Sequence, residues 1–254
     1  MRLATFNILH GRSLADGRVD RDRFAAAIAT LDADLLALQE VDRGQERSHG
    51  LDLTAVAADA MGAADSRFAA AMHGRPDGSW RPATGREPGG SALYGVALLS
   101  RHPVRRWEVV RLPALPVPVP YRFAGQRRAS LARDEARVAI LAEVAAPLGD
   151  ITVVATHLSF LPGWNDLQLR LLMRRIRRTD GPVVLMGDLN LGPAHAGRVT
   201  RLRSLGSAYT FPAVAPVRQI DHVLARDVPG RPTARALTLK VSDHAALVVD
   251  LDIT

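Results

Sequence analysis

The sequence predicts a mixed α/β domain with many strands and few helices, built as two packed sheets flanked by helices. Three observations predict it. Short runs rich in Val, Leu, Ile and Ala recur along all 254 residues, and several are nearly continuous, as expected of strands buried on both faces. Segments with apolar residues at helical spacing lie between some of them. Strand patterns also resume directly after each irregular stretch. The chain therefore reads as one domain over residues 1–254, a length at which folding buries roughly 70–75% of the unfolded surface.

Taken in order, the strand-like runs are Leu3–Ile8, Asp34–Gln39, Tyr94–Ser100, Val138–Val144, Ile151–Thr156, Val183–Met186, Gln219–Leu224 and Ala246–Leu251. Asp20–Leu31 sets Phe24, Ala27, Ile28 and Leu31 at helical spacing behind an Asp20 cap. Leu51–Met61 reads in the same way. Asn165–Arg178 puts Leu169, Leu172, Met173 and Ile176 on one face and Arg170, Arg174, Arg177 and Arg178 on another. That arginine face is expected to be solvated rather than to grip phosphate or membrane. Two stretches stand out as irregular, His73–Ser91 with its Gly, Pro and Arg, and Pro113–Arg128 with four prolines at Pro113, Pro116, Pro118 and Pro120. Long loops inside a compact domain are often functional. Their anion-binding candidates are Arg75, Arg81, Arg86, Tyr121, Arg122, Arg127 and Arg128.

Composition narrows the function classes. With no cysteine, disulfide frameworks, thiolate metal sites and cysteine nucleophiles are excluded. A hydrophobic fraction of 47% argues against a disordered chain. No run approaches 18 apolar residues, so no transmembrane segment is expected. Met1 leads straight into a strand-like segment, leaving no room for a signal peptide, and a soluble cytoplasmic protein is the expectation. The net charge of +7 comes from 33 basic residues, of which only Lys240 is lysine. A coding bias towards GC-rich codons accounts for that most simply; the charge permits an anionic substrate without proving one. No obligate protein partner is evident.

Polar residues recur where strands end, which is where α/β folds place their chemistry. Asn7 closes the first strand. Glu40 stands just beyond the second, and His157 follows the Ile151–Thr156 run. Asp188 and Asn190 follow Val183–Met186 through Gly187. Asp221 and His222 interrupt the Gln219–Leu224 run, and Asp243 and His244 precede the last strand. Each alone reads as a turn, a cap or a satisfied structural group. Recurring at successive strand exits, they read as a site. Oxygen ligands such as Glu40 and Asn7 suit Mg²⁺ or Mn²⁺ with a substrate phosphate. A histidine beside an aspartate has a fixed tautomer and a raised pKa. Such a set suits hydrolysis of a phosphate ester. The closely spaced donors of a zinc site are absent.

These residues sit in segments that resemble a known family. Thr5-Phe6-Asn7-Ile8, Leu38-Gln39-Glu40-Val41, Tyr94-Gly95-Val96-Ala97-Leu98-Leu99-Ser100-Arg101, Thr156-His157-Leu158, Gly187-Asp188-Leu189-Asn190, Ile220-Asp221-His222-Val223 and Ser242-Asp243-His244 resemble, in order, the motifs of the endonuclease/exonuclease/phosphatase superfamily. The likeness covers nearly the whole chain. It implies the deoxyribonuclease I-like fold, a four-layer αββα sandwich of two mixed sheets, and metal-dependent hydrolysis of a phosphoester, nucleic acid being one candidate substrate. It further implies that Glu40 binds Mg²⁺ or Mn²⁺ with Asn7 beside it and Asp243 contributing. His244, oriented by Asp221, would act on the scissile phosphate. Asp188 would position or deprotonate water, Asn190 would hold a phosphate oxygen, and His157 would donate to the phosphate or assist the leaving group. Glu135 in Asp134-Glu135-Ala136-Arg137 resembles a Glu-x-Arg element of the bacterial branch, expected to support His157 or the site. Tyr94, Glu135, Arg137 and Arg122 are expected substrate contacts.

Departures narrow the branch. Abasic-site endonucleases carry an aspartate two residues after the first Asn, where this chain has Leu9, and lack the Thr-His-Leu histidine. Inositol polyphosphate 5-phosphatases carry a Cys-Asp-Arg element that Arg218-Gln219-Ile220-Asp221-His222 does not match. Val96 replaces the usual small polar residue after Tyr94-Gly95. The remaining motifs look most like a broad bacterial branch. A phosphodiester is the expected substrate, with a phosphomonoester of a small molecule or lipid headgroup as the alternative and a catalytically silent binding module as the remote one.

Overall fold

In the first strand, β1 (Arg2–Asn7), Leu3 and Thr5 face one way and Ala4 and Phe6 the other, and all four are fully buried. A strand so buried must lie between two layers. Leu3 joins the core between two sheets, while Ala4 and Phe6 join the core beneath helices. The structure, a computed structural model, describes residues 1–76, 78–122, 128–147 and 149–252. Arg127, one of the loop arginines, lies outside them.

After β1 the chain forms α1 (Arg21–Leu31), β2 (Leu35–Arg43), α2 (Leu53–Met61), β3 (Asp65–His73), β4 (Arg81–Pro82), β5 (Leu93–Ser100) and β6 (Val104–Leu112). Then come β7 (Val119–Tyr121), β8 (Ser130–Ala132), β9 (Arg137–Ala146), β10 (Gly149–His157), α3 (Trp164–Ile176), β11 (Val183–Asp188) and α4 (Pro193–Thr200). β12 (Arg203–Ser204), β13 (Asp221–Arg226), β14 (Arg231–Leu237) and β15 (Ala246–Asp252) complete it. One sheet runs β14-β15-β1-β2-β5-β3-β4, the other β12-β13-β11-β10-β9-β6, and β7 pairs with β8. The pairs β1–β2 and β10–β11 are parallel in otherwise antiparallel sheets. Phe24, Ile28 and Leu31 of α1 and Leu53 and Val56 of α2 cover the first sheet, and Leu169, Leu172 and Met173 of α3 with Ala196 and Val199 of α4 cover the second. This is the expected four-layer αββα sandwich.

Local signals act as read. Asp20 caps α1 by accepting from the Arg23 amide at 2.7 Å. Arg170 and Arg174 on α3 and Arg177 and Arg178 just after it are exposed, and Arg170 donates to Asp166 one turn back. No described helix is long and apolar enough to cross a membrane. Two expectations need correction. Glu40 does not follow its strand but lies inside β2, and Asp221 does not interrupt a strand but opens β13.

Candidate active site

Strand alternation assembles most of the site. In β10, Ile151, Val153 and Ala155 face the core between the sheets, so His157, two residues further, faces the same gap where the core ends. Val184 and Met186 of β11 place Asp188 likewise, and Val223 and Ala225 of β13 place Asp221. Register then lines them up, since His157 is opposite Asp188 and Asp188 is opposite Asp221. Asn7, last in β1, reaches the row from the other sheet, and its amide nitrogen donates to Asp188 Oδ2 at 3.2 Å. Gly187 makes the tight approach possible, because a Cβ there would collide with the Thr156 carbonyl oxygen.

Glu40 gets there differently. In an unbroken strand it would follow Leu36 and Leu38 towards the helices. Instead the β2–β5 pairing shifts register between Leu38 and Val41, and Glu40 takes a left-handed φ of 57°. This bulge turns the carboxylate towards Asn7, whose Nδ2 donates to Glu40 Oε1 at 3.1 Å. Nine described non-glycine residues have positive φ. Asp32 and Arg201 cap helices, His49 ends a 3₁₀ turn and Asp227 turns between β13 and β14. Of the rest, Leu9, His10, Glu40 and Asn190 line the cleft and Ser242 immediately precedes its Asp243, the distribution expected of a strained functional site.

His244 lies in the loop before β15. Its Nδ1 is 2.9 Å from Asp221 Oδ2, which also accepts from Thr210 Oγ1 at 2.5 Å. The Ser242 hydroxyl donates to the Asn7 carbonyl and accepts from the His244 amide, tying this loop to β1. Asp188 Oδ2 stands between the two histidines, 3.6 Å from His157 Nε2 and 3.8 Å from His244 Nε2. Burial opposes charge on His244, but Asp221, Asp188 and Asp243 outweigh it and raise its pKa to about 10. Burial and the Asp221 charge push Asp188 up to about 7. Burial also raises Glu40, only partly offset by Asn7, and holds His157 well below its ordinary value together with Arg137.

Among the described residues, Asp188, Asp221 and His244 offer ligand atoms within 4.8 Å of one another, a candidate metal group. Hydrogen bonding already occupies that trio through Asp221 Oδ2. Glu40 and Asp243 instead present hard oxygens beside Asn7, and their mutual repulsion helps raise Glu40. A cation between them would relieve it, so the residues present fit a divalent ion.

All these residues except Asp221, which lies beneath His244, line a cleft of about 530 Å³. Tyr94, Glu135 and Arg137 line it too, while Arg122 is exposed and absent from its lining. Arg75 pairs with Glu46 at 2.9 Å, and Arg81 donates to the Trp80 carbonyl. Sequence reasoning missed Arg47, Trp80, His10, Phe160 and Phe211. Arg47 is held rigidly, donating to Asp42 at 2.7 and 2.8 Å and packing over Tyr94 and Trp80. The signal available was its place five residues after Asp42 in the loop leaving β2. His10 has its Nδ1 unpartnered, and burial with Arg47 and Arg12 lowers its pKa from 6.5 to about 3. The unfolded chain thus gains a proton near pH 6.5 that the fold accepts only near pH 3. This contribution to stability is complete above pH 6.5 and is lost as pH falls towards 3. His10→Gln should flatten the decline of the urea midpoint between pH 6.5 and 4; an unchanged slope would contradict the assignment.

The fold has counterparts among solved structures. A crystal structure of an endonuclease/exonuclease/phosphatase from Beutenbergia cavernae is similar, with 27% identity and a TM-score of 0.67, over 100% of this chain and 71% of that one. A mannosyl-6-phosphatase from Bacteroides thetaiotaomicron is 14% identical with a TM-score of 0.66, each chain covered fully. Sphingomyelinase C from Streptomyces griseocarneus is 18% identical with a TM-score of 0.64, covering 99% of each chain. These last two likenesses show the fold alone. No curated protein matches the chain at a significant level of sequence similarity. The family model for endonuclease/exonuclease/phosphatase proteins matches residues 4–244, and the chain belongs to that family.

Proposed function

We propose that this chain is a Mg²⁺- or Mn²⁺-dependent phosphoesterase that hydrolyses a phosphodiester by in-line attack of water. Family members are typically hydrolases of phosphoester bonds and generally use a divalent metal. The observation that carries the reading is Asp188 standing between His157 and His244 on the floor of a cleft that Glu40, Asn7, Asn190 and Asp243 also line. Glu40 and Asp243, with Asn7 beside them, would hold the cation, which when bound supplies positive charge to the phosphoryl oxygen. Asp188, with its pKa near 7, is suited to take a proton from water at neutral pH. His244 remains charged there and can pair with the phosphate or protonate a leaving oxygen. Asn190 and His157 donate towards the phosphate oxygens.

The cleft extends beyond His157 along Trp80, Tyr94 and Glu135 and beyond His244 along Phe211 and Arg218. Room on both sides supports a diester with two organic groups over a monoester. The test is a panel of plasmid DNA, RNA, sphingomyelin, inositol phosphates and mono- and diester reporters, each with Mg²⁺ and Mn²⁺. Metal-dependent diester cleavage is expected. A nuclease activity would fall steeply with salt through counterion release. Preferential monoester cleavage would favour the phosphatase alternative. No turnover, with no Mg²⁺ or Mn²⁺ binding by calorimetry, would leave a binding module.

A further inference from the structure

Arginine has five N–H donors and no acceptor, and it stays protonated in proteins. Its guanidinium can therefore donate to a ring nitrogen only where that nitrogen carries a lone pair. Arg137 Nη1 lies 3.2 Å from His157 Nδ1, and both side chains are buried. Nδ1 is accordingly unprotonated, the ring is neutral, and its single proton sits on Nε2, the nitrogen facing Asp188 and Asn190. Arg137 is itself anchored, with Nη2 3.5 Å from Glu135 Oε2, while Glu135 Oε1 accepts from Trp80 Nε1 at 3.1 Å. The expected support of His157 by Glu135 is thus indirect, and at Nδ1 the ring meets a cation, not a carboxylate.

Asn190 is oriented by an equally one-sided contact. Its Nδ2 donates to the Leu158 carbonyl at 3.1 Å, and a flipped carboxamide would set two oxygens against each other. His157 Nε2 and Asn190 Nδ2 then stand 3.5 Å apart as two donors that cannot bond to one another. The charged groups facing His157 are Arg137 from β9, Asp188 from β11 and His244 from the loop before β15.

We infer that Arg137 is a positioning residue that locks His157 as the neutral Nε2–H tautomer, so that His157 and Asn190 form a two-donor cradle for a non-bridging oxygen of the phosphoester. His157 then binds and orients but transfers no proton. The cradle's ligand rests on the phosphoesterase reading; the lock rests only on hydrogen-bond geometry.

Two-bond ¹H–¹⁵N correlation spectra of the full chain with ¹⁵N-histidine, taken from pH 5 to 9, test the lock without any substrate. The resonance lost in His157→Gln should show the Nε2–H pattern and no titration in that range. In Arg137→Met, which frees Nδ1, the Nδ1–H tautomer should appear beside the Nε2–H form and the ring should gain a proton more readily than in the wild type, though burial still holds it below the ordinary range, and the pH profile of diester cleavage should gain an acidic limb. Arg137→Lys, which keeps a donor, should restore the wild-type pattern in part. An Nδ1–H tautomer or an imidazolium at pH 7 in the wild type would overturn the inference, as would an unchanged ring in folded Arg137→Met. If Arg137→Met fails to fold, the wild-type spectrum decides alone. The expected tautomer with no phosphoester cleaved would leave the lock standing and remove the phosphoesterase reading.

Discussion

Asp221→Asn should lower turnover of a phosphodiester reporter by about 10²- to 10⁴-fold, His244→Ala should do the same, and the double variant should be little worse than either. Asp221 does not line the cleft, so it acts through the groups beside it, chiefly His244, while its charge also helps hold Asp188 up. Its Oδ2 holds His244 Nδ1 at 2.9 Å while Thr210 Oγ1 donates to the same oxygen. An asparagine oxygen in that place keeps the geometry but removes the charge that, with Asp188 and Asp243, overcomes burial and raises His244 to about 10. The sign follows. In the wild type the step that needs charged His244 persists through neutral pH and is lost only as pH rises through about 10. In Asp221→Asn the alkaline limb should move down by pH units, because burial then acts with less opposition. Steady-state pH profiles of both proteins check this. Wild-type turnover in both single variants, or a limb that stays in place in Asp221→Asn, would sink the assignment.

The parts of this protein legible in its sequence are those governed by burial and by period. β10 and β11 read as strands because every layer around them is apolar, and Asn7, His157, Asp188 and Asp221 are polar interruptions at one end of such strands. β3, β6 and β14 were not legible. β6 and β14 are edge strands whose half-exposed faces carry arginines, and β3 is rich in alanine, a weak strand former. α4 hides behind a Gly-Pro start that reads as loop. At the site, Glu40 was recognised but its placement was not, since nothing in Leu38-Gln39-Glu40-Val41 marks the bulge that turns it inward. The Arg137–His157 contact was equally hidden, because residues twenty apart meet only through the β9–β10 pairing. Sequence order suggested the Glu135 carboxylate as the partner; geometry chose the guanidinium two residues on.

Glu40→Gln should abolish activity yet leave the metal-free protein as stable as the wild type or more so. The two effects have one cause. Without a cation, the Glu40 carboxylate is partly buried, accepts from Asn7 alone among the described residues, and feels Asp243 across the cleft, so desolvation and repulsion together disfavour its charge. The neutral isostere removes that penalty and keeps the amide donor of Asn7 engaged. It also removes the oxygen proposed to hold the cation. Thermal melts in EDTA and in excess Mg²⁺ separate the two consequences. A ligand at about 100 times its Kd stabilises the state it binds by about 2.7 kcal/mol, so the wild type should melt higher in Mg²⁺ and Glu40→Gln should not. Turnover should fall by about 10²-fold or more alongside. Asp243→Asn should follow the same pattern. If Glu40→Gln kept the full Mg²⁺ shift while Asp221→Asn lost it, the cation would belong to the Asp188, Asp221 and His244 group, and the relay through His244 would have to be given up with it.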